Sequence, residues 1–323
     1  MAAATAPGLL VDIGGTNARF ALAGAGGIGH ETRLAVADYP GPVEALRAFL
    51  ERTGPAPPPR RAALAVAGPV QGDSARLTNS PWKVAAADLR AAFGFERITL
   101  VNDFAAVAWA VPRLAAHDLV KIGGGQARPS APAAVIGPGT GLGVAGLVPA
   151  EDGPLVLVSE GGHVTMAPAD AREDRILDRL RRGFGHVSAE RVLSGGGLVN
   201  LYEALAELDG STAPPRTAAE IAAQALAGDC PMSAAALQAF CAMLGTVAGN
   251  LALTLGAGAG VYIAGGIVPR FPEYLEASNF RARFEAKGRF RDYLAAIPTW
   301  VVVHPDPAFL GLAGLLERDI KAV

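Results

Sequence analysis

The sequence predicts an α/β protein built from two similar halves. Three observations carry that expectation. Short apolar runs that read as strands alternate with longer helical patterns, the signature of layered sheet and helix. A strand, a Gly/Thr-rich turn and a return strand occur twice, over 9–23 and over 133–147. Between the two copies the pattern stops at Pro112 and restarts, which puts a boundary near that residue.

The elements follow in order. Residues 9–13 form an apolar strand broken only by Asp12, and residues 18–23 return from the turn Gly14-Gly15-Thr16-Asn17. A helix over 42–51 and a Pro-rich loop over 54–60 come next. A strand over 62–67 ends at Gly68-Pro69, a helix covers 85–93, and a strand over 98–101 closes on Asn102-Asp103 before a helix begins at Phe104. In the second half, strands at 133–136 and 144–147 flank Gly137-Pro-Gly-Thr-Gly-Leu-Gly143, and another strand spans 155–158. Helices over 170–182, 218–227 and 233–255 precede a strand at 261–264 that ends in Gly265-Gly266. A strand over 301–304 and a helix over 309–320 finish the chain.

Composition excludes several classes. Hydrophobic residues are 51% and charged residues 18%, too apolar for a disordered chain. Lys plus Arg is 28 against Asp plus Glu at 30, so no basic excess marks a nucleic-acid binder. Two cysteines, Cys230 and Cys241, make neither a disulfide framework nor a Cys-x-x-Cys zinc motif, and a reducing cytoplasm is expected. The N-terminus has no basic stretch, and Asp12 interrupts its apolar run, against a secretory signal. The uncharged stretch 230–269 is long enough to span a bilayer. Its seven glycines would leave backbone unsatisfied in hydrocarbon, so a buried helix, a Gly turn and a buried strand are expected instead.

Six motifs carry chemistry. In Asp12-Ile-Gly-Gly-Thr-Asn17 a two-glycine turn turns backbone N–H groups toward one concavity suited to phosphate oxygens, and the Asp12 carboxylate suits a hydrated Mg²⁺ beside them. No Gly-Lys-Ser/Thr follows, so this is not a Walker loop. Gly137–Gly143 repeats the design, and its spacing and β-prone sequel do not fit a dinucleotide fingerprint. Asp103, at a strand end, is placed either to take a proton from a substrate hydroxyl or simply to cap the next helix. Glu160-Gly-Gly-His163 offers a carboxylate and an imidazole to a hydroxylated ligand, or is a plain Gly turn. Glu190, in the segment 186–197, reads better as a surface charge than as a ligand. Gly265-Gly266 permits close approach of a flat ring, or is a tight strand–helix turn.

In this order and spacing, seven segments together resemble the bacterial ATP-dependent glucokinase family: Val-Asp-Ile-Gly-Gly-Thr-Asn-Ala-Arg (11–19), Leu-Thr-Asn-Ser-Pro-Trp (77–82), Val-Asn-Asp-Phe (101–104), Gly-Pro-Gly-Thr-Gly-Leu-Gly (137–143), Glu-Gly-Gly-His (160–163), His-Val-Ser-Ala-Glu-Arg-Val-Leu-Ser-Gly (186–195) and Ala-Gly-Gly-Ile-Val-Pro-Arg (264–270). The resemblance runs from about residue 8 to residue 320. It implies two ribonuclease H-like domains of the actin/hexokinase type around an interdomain cleft that closes on the sugar. The small domain would be 1–111 plus 300–323 and the large domain 112–299. The implied reaction moves the γ-phosphoryl group of MgATP to the 6-hydroxyl of D-glucose, giving glucose 6-phosphate and ADP. Asp103 would be the catalytic base. Asn79, Asn102, Glu160, His163 and Glu190 would bind sugar hydroxyls. Val11, Asp12, Ile13, Gly14, Gly15 and Thr16 would form the first phosphate loop, Gly139, Thr140 and Gly141 the second, and Gly265 and Gly266 would lie near the adenosine. No protein-held metal is implied beyond Mg²⁺ arriving with ATP, with a contact through water to Asp12. A cytoplasmic homodimer with no membrane or nucleic-acid partner is the family expectation. Three rivals are expected to fail, one of them an actin-fold ATPase working on protein partners, against which the Glu-Gly-Gly-His segment (160–163) counts. Kinases of the ROK group, acting on another hexose or an N-acyl hexosamine, typically carry a Cys-rich zinc motif that this chain lacks. A non-catalytic sugar sensor usually adds a helix-turn-helix domain, for which about eight residues before the first strand leave no room.

Overall fold

The computed structural model describes residues 6–77 and 80–321. The chain divides into two compact units, Met1–Ala115 with His304–Val323, and Ala116–Val303.

In the first unit, β1 (Gly8–Ile13), β2 (Asn17–Gly24) and β3 (Gly27–Ala35) run as a meander into α1 (Pro42–Thr53). Pro42 opens that helix at its first turn, and Gly54, in the left-handed region at φ 53°, closes it. Next come β4 (Arg61–Val66), a small sheet of β5 (Val70–Gln71), β6 (Ser74–Arg76) and β7 (Lys83–Ala85), then α2 (Ala86–Phe93), β8 (Arg97–Asn102) and α3 (Asp103–Ala110). The main sheet has the order β3-β2-β1-β4-β8. β1 pairs antiparallel with β2, whereas β1, β4 and β8 are parallel. Their carboxyl ends are level, with Ile13 opposite Val66 and Val66 opposite Asn102. The first Gly turn and Asp103 therefore emerge from the same, carboxyl end of one sheet.

The second unit repeats the plan. It contains β9 (Leu119–Gly123), β10 (Ala133–Pro138), β11 (Leu142–Val148), β12 (Leu155–Ser159), α4 (Ala171–Phe184), α5 (Gly195–Leu208), α6 (Ala218–Ala227), α7 (Pro231–Leu255), β13 (Gly260–Ile263), α8 (Pro272–Ala277), α9 (Phe280–Glu285), α10 (Arg291–Ala295) and β14 (Thr299–Val302). Its sheet order is β12-β11-β10-β13-β14-β9. β10 pairs antiparallel with β11 and parallel with β13, which is parallel to β14. β10–β11 is thus the counterpart of β1–β2, and β9 is an added antiparallel edge. Because β14 hydrogen-bonds inside this sheet, the return to the first unit falls after Val303. The sequence expectation had put it at 299/300.

Back in the first unit, α11 (Pro307–Lys321) packs on α3. The central parallel strands β1 and β4 are buried on both faces, as parallel strands under two helix layers must be. Leu9, Val11, Ile13, Leu64 and Val66 face α1 and α2, whereas Leu10, Ala63 and Ala65 face Ala106, Phe309, Leu312 and Leu316. The second core gathers around α7. That helix is apolar over 25 residues because Leu237, Phe240, Met243 and Leu244 are fully buried. Its Gly245 lets α9 come so close that a Cβ there would stand 2.1 Å from the Phe280 carbonyl oxygen. This is a core helix, as the glycine pattern implied.

Candidate active site

Each phosphate-type turn is built by a hairpin. In the first unit the Gly14 N–H donates to the Asn17 carbonyl at 2.9 Å, and the Thr16 carbonyl accepts from Val36 N–H at 2.9 Å. Gly14 and Gly15 are half-buried and Thr16 is exposed. The Val11 and Ile13 side chains are core, so only their backbone faces the turn. Period-2 alternation sends Asp12 to the α3/α11 face with Leu10. There Asp12 accepts from the Arg19 guanidinium, directly opposite it on β2, and Arg19 reaches Asp306 with its other nitrogen. Burial pushes the Asp12 carboxyl up, and the Arg19 cation opposes that push.

At the end of β8 the helix cap is Asn102, not Asp103. The Asn102 Oδ1 accepts from Phe104 N at 2.9 Å and Ala105 N at 3.2 Å, and its Nδ2 donates to the Gly68 carbonyl at 3.3 Å. Asp103 is the first residue of α3, with its Oδ1 accepting from Phe104 N at 2.8 Å. The cap role weighed for Asp103 belongs to its neighbour, and Asn102 fixes the backbone on which Asp103 sits. Asn79 lies outside the described residues.

In the second unit, Gly139, Thr140 and Gly141 link β10 to β11, closed by Gly139 N donating to Gly141 O at 2.8 Å. The Gly139 carbonyl accepts from Gly195 N at 2.9 Å, at the start of α5. Gly265 has φ 85°, and a Cβ on it would meet the Pro138 carbonyl oxygen at 2.3 Å. Gly266 follows beside Gly139. The second loop, the Gly265-Gly266 turn and the amino end of α5 therefore converge. Sequence reading missed α5. Its signal was Ser194, whose Oγ accepts from Gly197 N at 3.0 Å, followed by apolar residues at helical spacing, Leu198, Leu201, Tyr202 and Leu205.

Glu160 and His163 are exposed around a 3-10 turn at the end of β12. Glu190, a surface charge by its local sequence and a sugar ligand by the resemblance, points at the second loop. Its Oε2 accepts from Leu142 N at 2.9 Å, and its Oε1 lies 4.0 Å from His163 Nδ1. Loop, imidazole and carboxylate are thus brought together within one unit. No group of three or more His, Cys, Asp or Glu suited to a metal occurs among the described residues. A cavity of about 470 Å³ between the β2–β3 hairpin and α11 holds none of these residues, though Asp306 lines it.

The glucokinase family model matches residues 9–319. The chain is 54% identical to a glucokinase of Paramagnetospirillum magneticum over 316 residues, covering 97% of this chain and 98% of that one. It is 49% identical to a glucokinase of Nitrobacter hamburgensis, covering 96% and 97% of the two chains. The crystal structure of a glucokinase from an Antarctic psychrotroph superimposes with a TM-score of 0.87 at 39% identity, covering 97% and 99%.

Proposed function

The chain belongs to the glucokinase family, and from that premise we propose that its two Gly turns and the Asp103 carboxylate carry out phosphoryl transfer from ATP to the 6-hydroxyl of D-glucose. One observation carries the residue-level reading. The chemistry-bearing turns occupy the equivalent hairpins, β1–β2 and β10–β11, of two sheets that share a five-strand order, and Asp103 follows β8 at the carboxyl end of the first. Phosphoryl transfer asks mainly for positioning and charge stabilisation, which paired backbone N–H turns and one carboxylate are suited to give.

In this reading the Asp103 carboxylate accepts the proton of the 6-hydroxyl as the oxygen attacks the γ-phosphorus. Asn102 holds Asp103 in place through the α3 cap and offers its amide to a neighbouring hydroxyl. Glu160, His163 and Glu190 grip hydroxyls on the other edge of the ring. The turns 14–16 and 139–141 supply N–H groups to the phosphates, and the glycines at 265 and 266 leave room for the adenine ring. Mg²⁺ arriving with ATP supplies positive charge against the phosphate oxygens. The donor set fits that mode and no tighter one. Asp12 precedes the first turn by two residues, and Arg19 already engages one of its oxygens, so it suits a water-mediated contact with an ion held by the nucleotide. A homodimer working in the cytoplasm completes the proposal, with sedimentation of the purified chain as its check.

The test incubates purified protein with ATP and Mg²⁺ and, separately, glucose, mannose, fructose or N-acetylglucosamine. Glucose 6-phosphate formed fastest from glucose is expected. Preference for an N-acyl hexosamine would favour a ROK-like activity, and sugar binding without any product would favour a sensor.

A further inference from the structure

Resting on the reading above, we propose that Glu190 is a positioning residue for the nucleotide as well as a sugar ligand, one carboxylate oxygen holding the second phosphate loop while the other faces the sugar side. The stitching is local. Glu190 Oε2 accepts the Leu142 N–H at 2.9 Å, the bond immediately after the loop 139–141. Gly141 permits it, since a Cβ there would lie 2.5 Å from that same oxygen. The Glu190 carbonyl accepts from Ser194 Oγ at 2.9 Å, and the next residue, Gly195, donates to Gly139 O at 2.9 Å. Both ends of the loop are therefore pinned to the segment 190–195. On its other side, the Leu142 carbonyl abuts Gly162, where a Cβ would stand 2.1 Å from the oxygen. The backbone of Leu142 is thus held between Glu190, through its N–H, and the turn that carries Glu160 and His163, against its carbonyl. The second oxygen of Glu190, 4.0 Å from His163 Nδ1, is left on the sugar side.

The chemistry predicts an asymmetry among three residues that would otherwise look alike. Glu160 and His163 make no bond to the loop among the described residues, so their loss weakens the sugar alone. Loss of Glu190 removes a charge-assisted acceptor from the loop as well. A glutamine keeps a carbonyl oxygen for Leu142 N–H but no negative charge for the sugar.

The experiment measures KM for ATP and for glucose separately, and AMPPNP affinity by calorimetry without sugar, in the wild type and in Glu160→Ala, His163→Ala, Glu190→Ala and Glu190→Gln. Glu160→Ala and His163→Ala are expected to raise KM for glucose and leave KM for ATP within about twofold. Glu190→Ala raises both and weakens AMPPNP by about tenfold, the loss expected for a hydrogen bond to a charged group. Glu190→Gln recovers nucleotide affinity and KM for ATP, and keeps the raised KM for glucose. A Glu190→Ala protein that binds AMPPNP like the wild type overturns the proposal, as does a Glu190→Gln protein no better than Glu190→Ala. The calorimetry stands whether or not the wild type phosphorylates glucose, so failure of the assigned activity and failure of this coupling are read separately.

Discussion

Asp103 stands where a parallel strand gives way to a helix, and its neighbour Asn102 does the capping that an aspartate there would otherwise do. The Asp103 Oδ1 accepts only from the adjacent Phe104 N–H among the bonds described above, and the proposed role in proton transfer falls to that carboxyl. Asp103→Asn is expected to cut kcat by at least about 10²-fold, within the range of general-base removal, while glucose still binds. Steady-state kinetics with glucose calorimetry would check it, and near-normal turnover would remove Asp103 from the role. Cys230 offers a second residue-scale prediction. Bonds from the Ser233 side chain and backbone, with the Arg216 guanidinium at 3.1 Å from Sγ, hold its thiol down from 9.0 to about 7. Burial instead pushes Cys241 up to about 12. Iodoacetamide should label Cys230 with a half-maximal rate near pH 7 and leave Cys241 untouched in the native protein. The folded pKa lies below the unfolded one, so the unfolded chain binds more protons between about pH 7 and 9. Stability therefore rises with pH across that window, and Cys230→Ser should flatten the rise.

At the scale of the element, α3 and α11 meet backbone to backbone. A Cβ on Gly311 would stand 1.8 Å from the Ala106 carbonyl oxygen, whereas one on Gly314 would meet the movable guanidinium of Arg113. Gly311→Ala should therefore lower Tm, by overpacking worth about 1–3 kcal/mol. Gly314→Ala should be neutral or raise Tm, because alanine favours the helix by up to about 1 kcal/mol. Thermal melts of the two variants separate close packing from propensity. The elements also differ in how plainly the chain announces them. β1 is an apolar run broken only by Asp12, β4 is apolar after Arg61, β10 is apolar throughout, and α6 begins with the Thr217/Glu220 capping box, so all four are readable along the sequence. β3 is not, because Gly27–Ala35 is a half-exposed edge strand with charges at Glu31 and Arg33. α5 is not, because three glycines follow its cap. Glu190 looked like a surface charge because its partner, the Leu142 N–H, is 48 residues away. Non-local hydrogen bonds leave no local periodicity.

At the scale of the whole molecule, the repeated sheet order was foreshadowed by the repeated strand–turn–strand, since both hairpins fix their own register. The crossing after Val303 was not, because β14 joins its sheet through pairing with β13 and β9, which adjacent residues do not encode. A chain ending at residue 303 would lose α11 and with it the part of the cover over Leu10, Ala63 and Ala65 that Phe309, Leu312 and Leu316 supply. Such a truncation should accumulate as aggregate on expression, and a soluble, normally melting product would contradict the packing described.

The same α11 also sets a timetable. A ribosome releases residues 1–115 long before it makes 307–321, while the intervening unit is one uninterrupted stretch. The opening sheet must then wait, that flank covered by α3 alone, until the distant helix 307–321 is made, so an early sheet is completed by a late helix.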